Sequence, residues 1–344
     1  MFEKCVLHLD SDNWVNFVRE HQDANIFHSP EWAETIKKSY GLPTYVAAIM
    51  NENTIVCGVP FCISHGLVTR CRIISIPYSD FCQPLNIPND KRNLVALGEY
   101  FRDISNILGI KQIELRWEYG NQKDYNHRTF FYRHFILLKE DDKEVYQKFH
   151  RTQRQNIRSA IKHGVEVEMS NSIEALRVFY CLHCLTRKRL GMPVQPWRFF
   201  SALHKEILSK NLGFILSAYK RGICLASGIF LLGTKTLTYK YAASHNRSEQ
   251  NHANHLIMWT AIQWACRHGF NMLDLGRCDL DNEGLRAFKL RFGATEARLA
   301  YSYKGFIPQE AFSSRKQLWF KHIIRSSPTL ITRLAGALIY PIGI

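Results

Sequence analysis

A chain of 344 residues is long for one core and suits two domains, and its 46% hydrophobic and 12% aromatic content supplies apolar surface for both. No run approaches the roughly 18–20 apolar residues that cross a bilayer, and the first twelve residues carry three acidic groups and no signal-like stretch, so cytoplasmic residence is expected. The formal net charge of +15 draws polyanions (nucleic acid, phosphorylated substrates, an anionic membrane face) without choosing among them.

In chain order, Ser29-Pro30-Glu31-Trp32 writes a helix start: an N-cap serine, a proline tolerated at the first helical position, and an acid at the positive end of the dipole. The helix is predicted to run to residue 39 and stop at Gly41. Residues 45–50 and 54–64 read as a hairpin, and residues 71–75 as a strand. The turn-rich segment 76–81 follows, where Tyr78 and Asp80 offer polar groups to a substrate and Asp80 alternatively caps its own turn. A helix over 92–107, Gly109 and a strand over 112–116 complete a unit.

Residues 139–148 are charged and mark the expected boundary. Beyond them Arg151, Arg154, Arg158 and Lys162 are spaced three, four and four apart, which places four cations on one helix face. Such a stripe suits phosphate or carboxylate, or is simply a solvated face. The ten scattered cysteines are expected to be reduced thiols. Cys181 and Cys184 have C-x-x-C spacing, but they sit in an apolar helical pattern without a second ligand pair, so buried helical cysteine is the preferred reading over metal or redox chemistry. No metal site is predicted.

The second half repeats the order of the first. A helix over 196–209 precedes strands over 214–219, 223–232 and 236–244, then a helix over 253–268, Gly269 and a strand over 272–275. The N-terminus of the 253–268 helix, with Asn251, His252 and Asn254 around it, offers backbone N–H groups to an anion. After the last strand, residues 285–294 read as a short helix ended by Gly293, with Lys289 between Phe288 and Leu290. Partial desolvation there would let its ammonium stabilise an oxyanion; the alternative is an ordinary amphipathic-helix lysine. From residue 311 onward come five basic residues, no acidic one and interleaved apolar residues broken at Pro328, which reads either as an interfacial amphipathic pair or as a tail packed on the first domain.

Five stretches occur together in a familiar order: Phe27-His28-Ser29-Pro30-Glu31-Trp32, Pro77-Tyr78-Ser79-Asp80, Arg154 to Ala160 with Gly164-Val165, Tyr239 to Ser244, and Gly284 with Phe288-Lys289-Leu290-Arg291-Phe292-Gly293-Ala294. On these residues the chain resembles the FemABX-type and related acetyltransferase-like proteins. The resemblance implies an α/β (α+β) fold of two tandem GNAT-like domains, each a mixed, mostly antiparallel sheet flanked by helices. It assigns residues 1–146 to an acceptor-side domain, 147–304 to a donor-side catalytic domain and 305–344 to a basic tail. It implies an N-acyltransferase that uses acyl-coenzyme A or aminoacyl-tRNA as donor substrate, with no permanently bound cofactor. The acceptor would be an amine of a peptidoglycan or surface-polysaccharide precursor, with the inner membrane face and tRNA as partners. Lys289 matches the family's oxyanion-assisting lysine. Acceptor contacts carry over to Lys37 or Lys38, Tyr78, Asp80, and Arg154 or Arg158, further substrate contacts to Tyr239, Tyr241 and Arg291, and donor contacts to Asn251, His252 and Asn254. The chain departs from the bridge-forming members in lacking their long helical arm, and its tail resembles relatives of polysaccharide-export systems. The competing class is a non-catalytic nucleic-acid-binding protein using the 151–162 stripe.

Overall fold

Helix boundaries follow the capping chemistry written in the chain. A computed structural model describes residues 2–64, 71–86, 90–119, 124–306 and 315–342. The first half runs β1 (Phe2–His8), α1 (Asp12–Glu20), α2 (Pro30–Tyr40), β2 (Thr44–Asn51), β3 (Thr54–Ser64), β4 (Arg72–Ser75), β5 (Leu85–Asn86), α3 (Lys91–Ile107), β6 (Gln112–Leu115) and β7 (Asn126–Leu137). The second half runs α4 (Asp142–Gln147), α5 (Arg151–Lys162), β8 (Glu166–Ser170), α6 (Ile173–Leu190), α7 (Trp197–Glu206), β9 (Gly213–Lys220), β10 (Ile223–Leu232), β11 (Thr236–Ser244), α8 (Ala253–Arg267), β12 (Met272–Asp279), α9 (Glu283–Arg291) and β13 (Thr295–Lys304). The tail forms α10 (Arg315–Ser326) and α11 (Thr329–Ile342) on either side of Pro328. The Ser29 side chain caps α2 at the Trp32 N–H, and Gly41 ends that helix at φ 71°, a left-handed position that costs a residue without Cβ little.

The strands join in one sheet in the order β1-β2-β3-β4-β6-β13-β7-β12-β11-β10-β9-β8, with β5 beside β3. The order is close to a palindrome. Each half contributes an antiparallel meander and one parallel pair, β4 with β6 and β11 with β12, bridged by α3 and α8 respectively. The repeat seen in the sequence is thus a repeat of structure. What sequence reading missed is that the last strands are exchanged: β13 of the second half pairs with β6 of the first, and β7 of the first pairs with β12 of the second. The two exchanged strands also pair with each other, from Thr295 opposite Phe135 to Tyr303 opposite Asn126.

The cores are shared in the same way. One cluster joins α2 and α3 to α6 and α7 through Trp32, Ile36, Phe101, Phe179, Phe199 and Phe200. The other lies under α5 and α8 and includes Ile157, Ile257, Ile262 and Phe292. Burying each such large side chain contributes ~1.5–3 kcal/mol.

Candidate active site

The exchanged strands bring the 76–81 turn of the first half against β11 and β12 of the second half. Tyr78 turns the chain at φ 61°, an uncommon conformation for a bulky residue, and the turn is fastened from three sides. Ser79 Oγ donates to Ile76 O, Arg116 Nη1 donates to Ser79 O at 2.6 Å, and Tyr301 Oη on β13 donates to Asp80 O at 2.6 Å. The Asp80 side chain leaves its own turn and reaches into the second half. Its Oδ2 accepts from Lys240 Nζ on β11 at 3.2 Å, and its Oδ1 lies 3.7 Å from Arg277 Nε on β12. The turn-capping alternative for Asp80 is therefore replaced by a cross-half ion pair. Burial alone would raise the Asp80 carboxyl, but the two cations outweigh it and hold it below the usual carboxylate range.

Lys240 is itself desolvated, which lowers its pKa against the pull of Asp80, and its ammonium sits 5.2 Å from the Phe27 ring and 5.9 Å from that of Trp32. The Arg277 guanidinium stacks 4.2 Å over Phe131. Sequence reading singled out neither cation. The available signal was Lys240 as the lone charge in a β-rich run, and Arg277 directly after the glycine that ends the last repeat strand.

Gly276 lies between this pair and Lys289. Its φ is 69°, and a Cβ there would stand 2.8 Å from Asp80 Oδ2, so both the backbone angle and the close approach call for glycine. Asp274 Oδ1 accepts the Gly276 N–H at 2.7 Å, and Asp274 is in turn paired with Arg133 of β7. The carbonyls of Gly276 and Arg277 each accept a bond of 3.0 Å from Lys289 Nζ. Lys289 is only 5% exposed, so the ordinary surface-lysine alternative is excluded. Desolvation lowers its pKa, with Cys278, Asp80, Asp274 and Asp279 pulling the other way. Two of the three ammonium hydrogens are committed, and no third acceptor is seen among the described residues.

Helix α9, which carries Lys289, is pinned at both ends. Arg286 grips Glu296 with two bonds of 2.6 and 2.7 Å, and Glu296 also bonds His134, which is fully buried and whose pKa is lowered first by desolvation and then by nearby Lys289, against the pull of Glu296. At the other end Gln153 of α5 donates to Phe288 O, and Arg291 O accepts the His150 N–H.

The structure gathers some predicted residues and separates others. Arg151, Arg154, Arg158 and Lys162 do share the outward face of α5. The N-terminus of α8 begins after His252, at φ 52° without a side-chain cap, and stands close to α9: His255 on its first turn bonds Asn156 of α5 and faces the Phe288 ring at 5.4 Å. Of the three expected donor contacts, Asn251 is held by Lys220 and Arg247 O, and Asn254 by Ser248. Tyr241 faces the first core near Phe200, whereas Tyr239 stacks inside the second core on Phe230 at 4.7 Å. Arg291 points to solvent. Lys38 is committed to Glu206 of α7 at 2.7 Å and to Glu34. Lys37, with a side chain 62% exposed, lines a cavity of about 460 Å³ with Glu34, Glu206 and Lys210, and Lys289 is not among the residues lining it. Cys181 and Cys184 are both free thiols on α6, one exposed and one buried. Among the described residues no cluster of histidine, cysteine and carboxylate has metal-binding geometry.

Comparisons with known proteins agree with this architecture. An acetyltransferase (GNAT) domain family matches residues 147–290, which carry α5, α8 and most of α9. The lipid II:glycine glycyltransferase of Staphylococcus epidermidis is 22% identical over 370 aligned positions, covering 80% of this chain and 86% of that protein. The crystal structure of FemX superposes with a TM-score of 0.68 at 17% identity, covering 94% of this chain and 100% of the other. A tandem GNAT protein from the clavulanic acid biosynthesis pathway superposes with a TM-score of 0.56 at 10% identity, covering 90% and 100%. The expected mixed α/β fold of tandem GNAT units is the observed one. Residues 147–290 thus match an acetyltransferase (GNAT) domain, and the whole chain is similar in sequence to a lipid II:glycine glycyltransferase and in fold to FemX and the tandem GNAT proteins.

Proposed function

We propose that the protein transfers an acyl or aminoacyl group from acyl-coenzyme A or aminoacyl-tRNA to an amine of a cell-envelope precursor, either an amino sugar or a peptide. The observation that carries this reading is the buried Lys289 ammonium, held by two carbonyls with one N–H unclaimed among the described residues, where the 76–81 turn of the first half meets strands of the second. Residues 1–146 serve the acceptor, residues 147–304 the donor, and residues 305–344 bring the enzyme to the inner membrane face. The glycyltransferase relative, named for lipid II and glycine, supports an aminoacyl donor and a lipid-linked acceptor for this chain as well.

In this mechanism the neutral amine attacks the acyl carbon, a C–N bond forms and the carbonyl oxygen becomes an oxyanion. Lys289 donates to that oxygen where water is scarce, a contribution worth about a hundred- to thousandfold in rate. Collapse breaks the C–S or C–O bond to the donor, and the leaving thiol or hydroxyl departs as the amine releases its proton. Asp80, kept charged by Lys240 and Arg277, is a poor base and acts by holding the turn and orienting the acceptor. The exposed carboxylates Asp279 and Glu283, or water, take this proton from the amine and return it to the leaving sulfur or oxygen. Tyr78 and Tyr241 line the acceptor side. The α5 cations Arg154 and Arg158 and the α8 N-terminus around Asn251, His252 and Asn254 hold phosphates of the substrates. Lys37 contributes from its cavity; Lys38 acts mainly as a tie to Glu206.

Nothing in the fold or the relatives favours the nucleic-acid-binding alternative. The deciding experiment is a mass-shift screen of amino-sugar and lipid-linked acceptors, with acyl-coenzyme A and charged tRNA supplied separately to the wild type and to Lys289→Met. Transfer by the wild type that drops at least tenfold in the variant is expected. Equal rates would remove Lys289 from the chemistry, and salt-dependent binding of bulk RNA without any transfer would replace the reading altogether.

A further inference from the structure

Helix α11 has two working faces. Thr332, Gly336 and Tyr340, four residues apart, face the protein: Thr332 O accepts the Val194 N–H, a Cβ on Gly336 would collide with the Val194 carbonyl, and the Tyr340 ring lies 6.1 Å from that of Tyr78. Tyr78 Oη donates to Tyr340 O at 2.6 Å, and Arg187 donates to Tyr340 Oη at 2.8 Å. The strained Tyr78 turn is thus capped by the tail, and the tail packs on α6 of the second half as well as on the first.

The opposite face has no partner among the described residues. Leu330, Leu334 and Leu338, again four residues apart, are 63%, 58% and 68% exposed, and Ile331 beside them is 51% exposed. Arg325 and Arg333 are exposed nearby, and residues 311–344 contain five lysines and arginines and no acid. A leucine row with arginines beside it, in a segment without acids, complements an anionic phospholipid surface. At 14 residues α11 is about 21 Å long, short of the ~30 Å hydrocarbon core, so it lies along the interface instead of crossing it.

We propose that α11 docks on an anionic bilayer through Leu330, Ile331, Leu334 and Leu338, and that docking holds Tyr340 over Tyr78, which couples membrane contact to order in the 76–80 turn. The coupling rests on the acceptor-side role given to Tyr78 above; the docking face stands without it. A substrate amine carried on a lipid would then meet the site only where the turn is held.

The test uses the full chain and vesicles of phosphatidylcholine, with or without phosphatidylglycerol. The wild type should float with the anionic vesicles and not with the neutral ones. The double variant Leu334→Glu/Leu338→Glu should lose at least tenfold in bound fraction at an unchanged melting midpoint, since both side chains are exposed. Equal flotation of that variant, or no flotation of the wild type, overturns the docking. A wild-type dimer that the same variant dissociates, without flotation of either, overturns it in favour of a second copy of this chain. Amide exchange in residues 76–80 should slow severalfold on vesicles in the wild type and not in Tyr340→Ala, which should still float. Unchanged exchange in a floating wild type overturns the coupling. Neither readout depends on acyl transfer, so a failed substrate screen leaves them intact.

Discussion

Where the two halves meet through the sheet, the contact is charged; where they meet through α2 and α7, it is aromatic. The sheet seam holds Asp80, Lys240, Arg277, Asp274, Arg133 and Lys289 within one connected network. The helical contact gathers Trp32 edge-on, Tyr40 stacked and Tyr78 tilted around Phe199, with centroids 5.9 to 6.2 Å from that ring, and carries its ion pairs on the rim, as at Lys38 and Glu206. Apolar packing is nondirectional and contributes bulk stability. A desolvated charge network gains its energy only in one geometry, and it leaves a cation poised against incoming substrate. The aromatic layer therefore accounts for the halves staying together, and the seam for what they do together.

Substitutions that hit one contact and spare the other sharpen the distinction. The largest effect is expected at Phe199, fully buried between the halves: Phe199→Ala should cost about 3–5 kcal/mol by chemical denaturation. Its effect on turnover should be no greater than the loss of folded protein explains. Next comes Asp80→Asn, which leaves Lys240 and Arg277 without their anion and should cost about 3 kcal/mol. Adding Lys240→Met should recover part of that stability but not activity. If Asp80→Asn alone proves neutral in stability, the seam is not the coupled network that its geometry indicates.

Lys289→Met separates chemistry from stability most cleanly. It removes a desolvated cation, which favours folding, and orphans two carbonyls, which opposes it, so the net change should stay within about 1–2 kcal/mol. Turnover should fall about a hundred- to thousandfold. A variant that melts much lower while keeping its rate would make Lys289 a structural residue.

The uneven legibility of the sequence has the same origin. Local rules found α2 from Ser29-Pro30 and Gly41, α8 from its stop at Gly269, and the hairpins from their turns, because each is decided within a few residues. The exchanged strands β7 and β13 escaped notice because their apolar alternation is broken by Arg133, His134 and Glu296, whose partners lie on other strands. Lys289 stood out through its Phe-Lys setting. Lys240 did not, since the carboxylate that gives it meaning is 160 residues away, and Tyr239 looked equivalent to Tyr241 until the two cores parted them.

The smallest effect concerns a histidine inside the aromatic contact. His183 is buried against Phe179, Phe200 and Tyr241 with no partner for either ring nitrogen among the described residues, and burial pushes its pKa down to about 3. The folded state thus binds fewer protons than the unfolded chain once pH drops below about 6.5, so stability present at neutral pH is lost as pH falls towards 3. At pH 5 the loss from His183 is about 2 kcal/mol. His28 and His255, both pushed down to about 4, add losses of the same sign. His183→Phe should be within about 1 kcal/mol of the wild type at pH 7, because the site is already apolar and of similar volume. Between pH 6.5 and 5 its denaturation midpoint should fall less steeply than the wild type's, by the share His183 holds among the histidines with lowered pKa. An unchanged slope would mean that His183 finds a partner in solution and that the aromatic contact is less dry than its packing indicates.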